Sequence, residues 1–180
     1  MAGLDGAESC TRCALAATRQ RVVLGTGPTP ASLLVVGEAP GRHEDEGGEP
    51  FIGRSGQLLT RLIAEEVGLT RDQYFITNVV KCRPPNNRPP RREEVAACAP
   101  WLEAQLALQG ASVVLCVGNT AAKAVLGLRE GVSTSHGRPV ALGNAVGIAT
   151  YHPAAALRGG PNVVAVMRAD LTIVRGLLGL

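Results

Sequence analysis

The chain has 180 residues, 46% of them hydrophobic and only 3% aromatic, with a formal net charge of +3. That is enough for one domain with a core built mostly from Ala, Val and Leu, and it excludes an intrinsically disordered or strongly polycationic protein. No long apolar segment is present, so neither a signal peptide nor a membrane span is expected, and a cytoplasmic monomer is the default.

Residues 1–9 are polar and Gly-rich and read as a flexible leader to a single domain spanning 1–180. Cys10-Thr11-Arg12-Cys13 opens the ordered part, and a helical turn follows through Arg19. Val22 to Leu24 is extended, and Gly25 to Pro30 is a turn. Leu33–Val36 reads as the first buried strand, and Gly37, Pro40 and Gly41 then force a sharp turn. Ser55 reads as the cap of a helix from about Ser55 to Glu66. Tyr74–Val80 is a second strand, and the Pro- and Arg-rich stretch Arg83–Arg92 is an irregular loop. Glu93–Leu108 has helical periodicity, with Val95, Cys98, Leu102 and Leu106 on one side. Ser112–Gly118 is a third strand, followed by a short helix capped by Asn119 or Thr120. Gly131–Arg138 is a polar loop, Val146–Thr150 a fourth strand, and Val163–Leu178 a final helix. Strands alternating with helices predict an α/β domain: three layers, α/β/α, around a mainly parallel four-stranded sheet.

Two constellations carry chemistry. Cys10 and Cys13 form a C-x2-C pair, whereas Cys82 and Cys98 stand fifteen residues apart. Five cysteines in a reducing compartment point to metal or catalysis rather than disulfides. A zinc ribbon usually supplies two close pairs, and irregular spacing suits an iron–sulfur cluster at least as well. Cys82 and Cys98 also read as small core residues, and Cys116, mid-strand, reads as core. The second constellation is a set of strand ends: Glu38, Asn78, Gly118-Asn119 and His152. In an open parallel sheet such ends converge on one crevice. An Asn amide matches a nucleobase edge, His donates to an oxygen gaining negative charge, and Phe51 offers a stacking face. Taken singly, Asn78 reads rather as a turn-forming or structural amide and His152 as a satisfied loop residue; their shared location at strand ends shifts the balance towards a site. The loop after the first strand is no phosphate cradle, because it lacks both the Gly-x-Gly-x-x-Gly pattern and the Gly-Lys-Ser/Thr ending.

Gly37-Glu38-Ala39-Pro40-Gly41 with Glu44-Asp45, Pro50-Phe51-Ile52-Gly53-Arg54-Ser55-Gly56-Gln57, Ile76-Thr77-Asn78-Val79-Val80-Lys81-Cys82-Arg83-Pro84-Pro85-Asn86-Asn87-Arg88, and Tyr151-His152-Pro153-Ala154 occur in this order. Together with the four cysteines they resemble the family-4 uracil-DNA glycosylases. The resemblance implies the glycosylase fold, removal of uracil from DNA, and a [4Fe–4S] cluster on Cys10, Cys13, Cys82 and Cys98. It also implies uracil contacts from Gly37, Glu38, Ala39, Pro40, Phe51, Asn78 and His152. A cross-linking subgroup carries a His-containing basic insertion; Arg88-Pro89-Pro90-Arg91-Arg92 has no His, so the hydrolytic type is expected. Ile52 and Ser55 stand where Val and Ala are commoner.

On this basis uracil-containing DNA, single- or double-stranded, is the expected partner, and the base must be flipped before its glycosidic bond is reached. Arg54, Arg88, Arg91, Arg138 and Arg158 are candidate phosphate contacts, although any one of them alone reads rather as a solvated surface residue. Leu157 is either a wedge into the vacated stack or a helix-core residue. Catalytic candidates are His152, Asn78 and Glu44, the last either positioning water or stabilising the sugar cation, or else shaping the pocket against a 5-methyl group. Glu38 also reads as structural. Lys81 and Lys123 read as ordinary surface residues, so no Schiff-base nucleophile is expected. Rival readings are a non-catalytic DNA- or uracil-binding module with a structural metal, and a hydrolase of free nucleotides.

Overall fold

Every apolar run read as a strand pairs in one sheet of the computed structural model, which describes residues 4–180. The strands are β1 (Leu33–Gly37), β2 (Phe75–Asn78), β3 (Val113–Val117), β4 (Val140–Leu142) and β5 (Ala145–Thr150). Their order is β2-β1-β3-β5-β4, with the first four parallel and β4 antiparallel at the edge. The sheet therefore has five strands, not four. Strand β4, Val-Ala-Leu, is only three residues long and partly exposed, so its apolar run is too short to stand out, although the two-residue Gly143-Asn144 turn folds it back onto β5 as a hairpin.

The helices are α1 (Arg42–Gly47), α2 (Arg54–Glu66), α3 (Arg92–Gln109), α4 (Asn119–Leu126), α5 (Val132–Ser135), α6 (Pro153–Gly159) and α7 (Pro161–Leu178). Side chains alternate across β1 as strand geometry requires. Leu33 and Val35 face Leu59, Leu62 and Ile63 of α2 and Met167 and Leu171 of α7. Leu34 and Val36 face the opposite layer, with Cys98 and Leu102 of α3 and Ala121 and Ala122 of α4. The result is the three-layer α/β/α arrangement. Cys116 is fully buried in the second layer, as read from its mid-strand position.

Several local expectations change. Gly53, not Ser55, is the N-cap of α2, and Gly118 that of α4. The acidic stretch after Gly41 is helical, and the polar loop Gly131–Arg138 contains α5. Within the leader expected to be flexible, Leu4 and Ala7 are buried whereas Asp5, Gly6, Glu8 and Ser9 are exposed; residues 1–3 lie outside the described part. The buried face of α3 is partly polar: Glu94, Gln105 and Gln109 point inward with Cys98 and Leu102. They do so because they tie down other segments. Gln105 donates to the Leu24 carbonyl, and Gln109 to Thr29 Oγ1 at 2.9 Å. Among the described residues no helix is long and apolar enough to cross a membrane.

Candidate active site

Because β2, β1, β3 and β5 are neighbours and parallel, their C-terminal ends form one crest. A cleft of about 520 Å³ opens there, at the edge where ligands bind in open α/β sheets. Glu38, Ala39 and Pro40 follow β1, Asn78 ends β2, and His152 follows β5; all of them line the cleft with Phe51.

Gly37 explains how two of these fit. A Cβ at this position would collide with the Phe51 ring and lie 2.5 Å from Asn78 Oδ1. The missing side chain lets ring and amide stand side by side. Phe51 has φ of 60°, a left-handed conformation that a bulky residue seldom adopts and that clusters at functional sites. Its backbone is held from below by Gly56, where a Cβ would strike the Phe51 carbonyl. The Phe51 and His152 rings are 6.4 Å apart, inclined by 31°. Asn78 is 2% exposed. Its amide makes no hydrogen bond to another described residue and faces the cleft.

His152 caps α6 from inside the cleft. Its Nδ1 accepts from the Ala154 N–H at 3.2 Å, so a neutral ring carries its proton on Nε2. Burial lowers its pKa below the ordinary value; Arg158 lowers it further, and Glu38 and Glu44 oppose the shift. The ring is thus held neutral with one N–H to donate. Gly118 leaves room for it, since a Cβ there would lie 3.1 Å from His152 Cβ.

Glu44 is buried, and both its carboxylate oxygens are engaged. Oε2 accepts from the Gly41 N–H at 3.0 Å and Oε1 from the Gly53 N–H at 2.8 Å. It staples the two ends of the loop that carries Phe51. Glu38, half-buried, accepts from the Thr120 hydroxyl. Neighbouring Asp45 accepts from the Gln20 and Arg21 N–H groups and anchors the N-terminal segment.

The candidate DNA contacts divide. Arg158 is exposed and lines the cleft. Leu157, 49% exposed beside it, is no helix-core residue. Arg54 is exposed at the start of α2, outside the cleft lining. Arg88 reaches the rim but is committed: Nη1 and Nη2 donate to the two Glu94 oxygens at 2.8 and 2.6 Å. A guanidinium already forked onto a carboxylate has little left for phosphate.

All four cysteines expected to act together line a second, small cavity with Trp101 and Arg19. Arg19 donates to Cys82 Sγ at 3.6 Å, Trp101 Nε1 to Cys10 Sγ at 3.4 Å, and the Lys81 N–H to Cys98 Sγ at 3.3 Å. Burial pushes the Cys82 thiol up to about 11 and raises Cys98 as well; a bound metal would reverse that by drawing the protons off. The all-sulfur donor set and its N–H donors suit a soft metal group. Among the described residues no three His, Cys, Asp or Glu side chains gather closely enough for a single metal ion.

Sequence reasoning missed Lys81. Read as a surface residue, it is 1% exposed, and burial lowers its ammonium to about 7. Its hydration is replaced by acceptors from residues 77, 78 and 105, which no local pattern reveals. Also missed was a clamp behind β5: Asp170 of α7 accepts from Thr150 Oγ1 at 2.7 Å and lies 3.0 Å from His136 Nδ1.

The fold and the cleft define an α/β domain with a base-sized site of ring, amide and imidazole at the strand ends. The uracil DNA glycosylase superfamily model matches residues 24–172, and the chain belongs to that superfamily, in its type-4 branch. It is 40% identical over 177 residues to the type-4 uracil-DNA glycosylase of Sulfurisphaera tokodaii, covering 94% of this chain and 80% of that protein. It is 42% identical to that of Thermotoga maritima (86% and 81% covered) and 44% identical to that of Archaeoglobus fulgidus (83% and 78%).

Proposed function

We propose that this protein is a monofunctional uracil-DNA glycosylase of DNA repair. It flips uracil out of DNA and hydrolyses the N-glycosidic bond, leaving an abasic site. The observation that carries this reading is the convergence of Phe51, Asn78 and His152 on one cleft. Phe51 stacks on the flipped base, and Asn78 pairs with its O4 and N3 edge. As the bond breaks, negative charge accumulates on uracil, and the Nε2–H of neutral His152 stabilises it at O2. Leu157 fills the vacated stack, and Arg158 holds a flanking phosphate. Glu44 acts by shaping the pocket: its two bonds to loop N–H groups favour that role over positioning water. The Gly37–Pro40 turn forms the pocket wall. Among the described residues no lysine lines the cleft, in keeping with a hydrolytic rather than a Schiff-base route.

The four cysteines fit a [4Fe–4S] cluster better than a single zinc ion. A cubane takes one thiolate at each of four irons, so its ligands stand further apart than those of one ion. Bound, the group would cross-link the N-terminal segment, the end of β2 and α3, adding its binding energy to folding.

The test is incubation with a uracil-containing oligonucleotide followed by alkali. Strand breaks at uracil alone are expected. Intact DNA that remains bound would instead support a non-catalytic module, and release of phosphate or base from free nucleotides a nucleotide hydrolase.

A further inference from the structure

Lys81 follows the strand end that carries Asn78, yet its side chain doubles back beneath β2. The ammonium donates to the Asn78 carbonyl at 2.6 Å, Thr77 Oγ1 at 2.8 Å and Gln105 Oε1 at 2.5 Å. In its ammonium form, three protons meet three neutral oxygens, which saturates the group. No carboxylate pairs with it among the described residues. Burying an ammonium without a counter-charge is unfavourable, and an apolar chain of similar length would fill the space more cheaply. What only the ammonium supplies is three divergent donors from one point.

Those donors act on the base-reading strand end. Two of the acceptors belong to consecutive residues at the close of β2, and the third belongs to α3. The acceptors are themselves tied, because Gln105 Nε2 and Thr77 Oγ1 both donate to the Leu24 carbonyl. From the other side, the Val79 N–H donates to the Gly37 carbonyl at 2.8 Å and the Val80 N–H to that of Glu38 at 3.2 Å. The backbone at Asn78 is therefore gripped on both sides. Its amide has no protein partner among the described residues, so this backbone and the packing against Phe51 set its direction.

We propose that Lys81 is a positioning residue for the Asn78 amide, a tripod that fixes the recognition edge for the flipped base. The proposal rests on Asn78 being the base-reading group. It assigns Lys81 no contact with the base and no proton transfer.

A double-mutant cycle tests it with Lys81→Met, Asn78→Ala and the double variant, each purified as the full chain. The readouts are saturating single-turnover excision of uracil, iron content, and affinity for undamaged duplex. Lys81→Met should keep its iron and its affinity for undamaged DNA. Its excision rate should fall about 10- to 100-fold, the scale of a sub-ångström to one-ångström misplacement. In the Asn78→Ala background the same change should cost nothing further, because residues acting as a unit are non-additive. Equal slowing in both backgrounds means a general structural role and overturns the proposal. So does a wild-type rate for Lys81→Met while Asn78→Ala is slow. Asn78→Ala at the wild-type rate removes the base-reading role itself, and this proposal with it. If Lys81→Met does not fold, Lys81→Gln, which keeps a polar donor, carries the same cycle with the same outcomes.

Discussion

Gly37 and Phe51 share one space: the ring occupies the volume that a side chain at residue 37 would fill, and Asn78 Oδ1 borders it. Gly37 lies in regular strand, so the requirement for glycine is steric rather than conformational. Gly37→Ala should push the ring and the amide apart. Overpacking of this kind costs about 1–3 kcal/mol, which denaturant unfolding would register. The excision rate should fall by about 10²-fold, since both proposed base contacts move. A variant with lowered stability and an unchanged rate would mean that Phe51 does not hold the base.

Two arginines at the cleft rim should behave differently. Arg158 is exposed and free of carboxylate partners among the described residues, whereas Arg88 is forked onto buried Glu94. Arg158→Ala should weaken binding to all DNA sequences alike and reduce the salt slope by about one. Arg88→Ala should leave that slope unchanged and lower the melting temperature, because Glu94 loses its partner. Its pH signature follows from sign. Hydrogen bonding to Arg88 holds the Glu94 pKa below the ordinary carboxylate value, so the pair's stabilisation is present above the unfolded pKa. It is lost as pH falls through the folded one. The wild type should thus lose more stability on acidification than Arg88→Ala.

The ends of β1 and β3 were legible because both are unbroken apolar runs that stop at glycine; β2 stops at Asn78, two residues short of the expected end at Val80, and His152 stands two residues beyond the end of β5. The cysteine set was legible as candidates, although spacing alone left zinc, iron–sulfur and core readings open. What escaped has a common cause. Helix α1 buries acids, Glu44 and Asp45, whose partners are backbone N–H groups; Gln105 and Gln109 face inward to hold Leu24 and Thr29. Lys81 is buried among acceptors as far away as Gln105. Apolar periodicity is blind to a polar residue buried for its hydrogen bonds. The fork from Arg88 to Glu94 escaped for the same reason: Glu94 reads as one acid of an exposed helix start.

The chain's single tryptophan reports on the cysteine cavity. Trp101 Nε1 donates to Cys10 Sγ at 3.4 Å, and Arg12 lies over its ring. An iron–sulfur cluster absorbs broadly and accepts electrons, so it should quench this fluorophore. Freshly purified protein should be brown and weakly fluorescent, and oxidative loss of the cluster should raise Trp101 emission as the visible absorbance bleaches. Cys98→Ala should lower folding yield more than it alters the chemistry, because Cys98 ties α3 to the end of β2. Stoichiometric zinc without iron would sink this assignment.

His152 should act in the transition state as a neutral donor. Charge on the departing uracil appears only as the bond breaks, so a donor aimed at O2 is worth most then. Losing one such donor costs on the order of 10²–10³ in rate. His152→Ala should depress saturating single-turnover excision by about that factor, with little change in affinity for abasic DNA. The protonation state can be tested separately. Burial lowers the His152 pKa below 6.5, so the unfolded chain binds its proton at a pH where the folded protein does not. Stability attached to this group is therefore present above the unfolded pKa and declines as pH falls from there toward the folded value. Excision should run level through the ordinary histidine range and drop only at lower pH, and His152→Ala should remove that drop. If the wild-type rate instead rises as pH falls through 6.5, the donor is imidazolium, and the tautomer set by Ala154 is not the working state. If the variant binds DNA weakly but excises at the normal saturated rate, His152 serves docking and the leaving-group role must move to another group in the cleft.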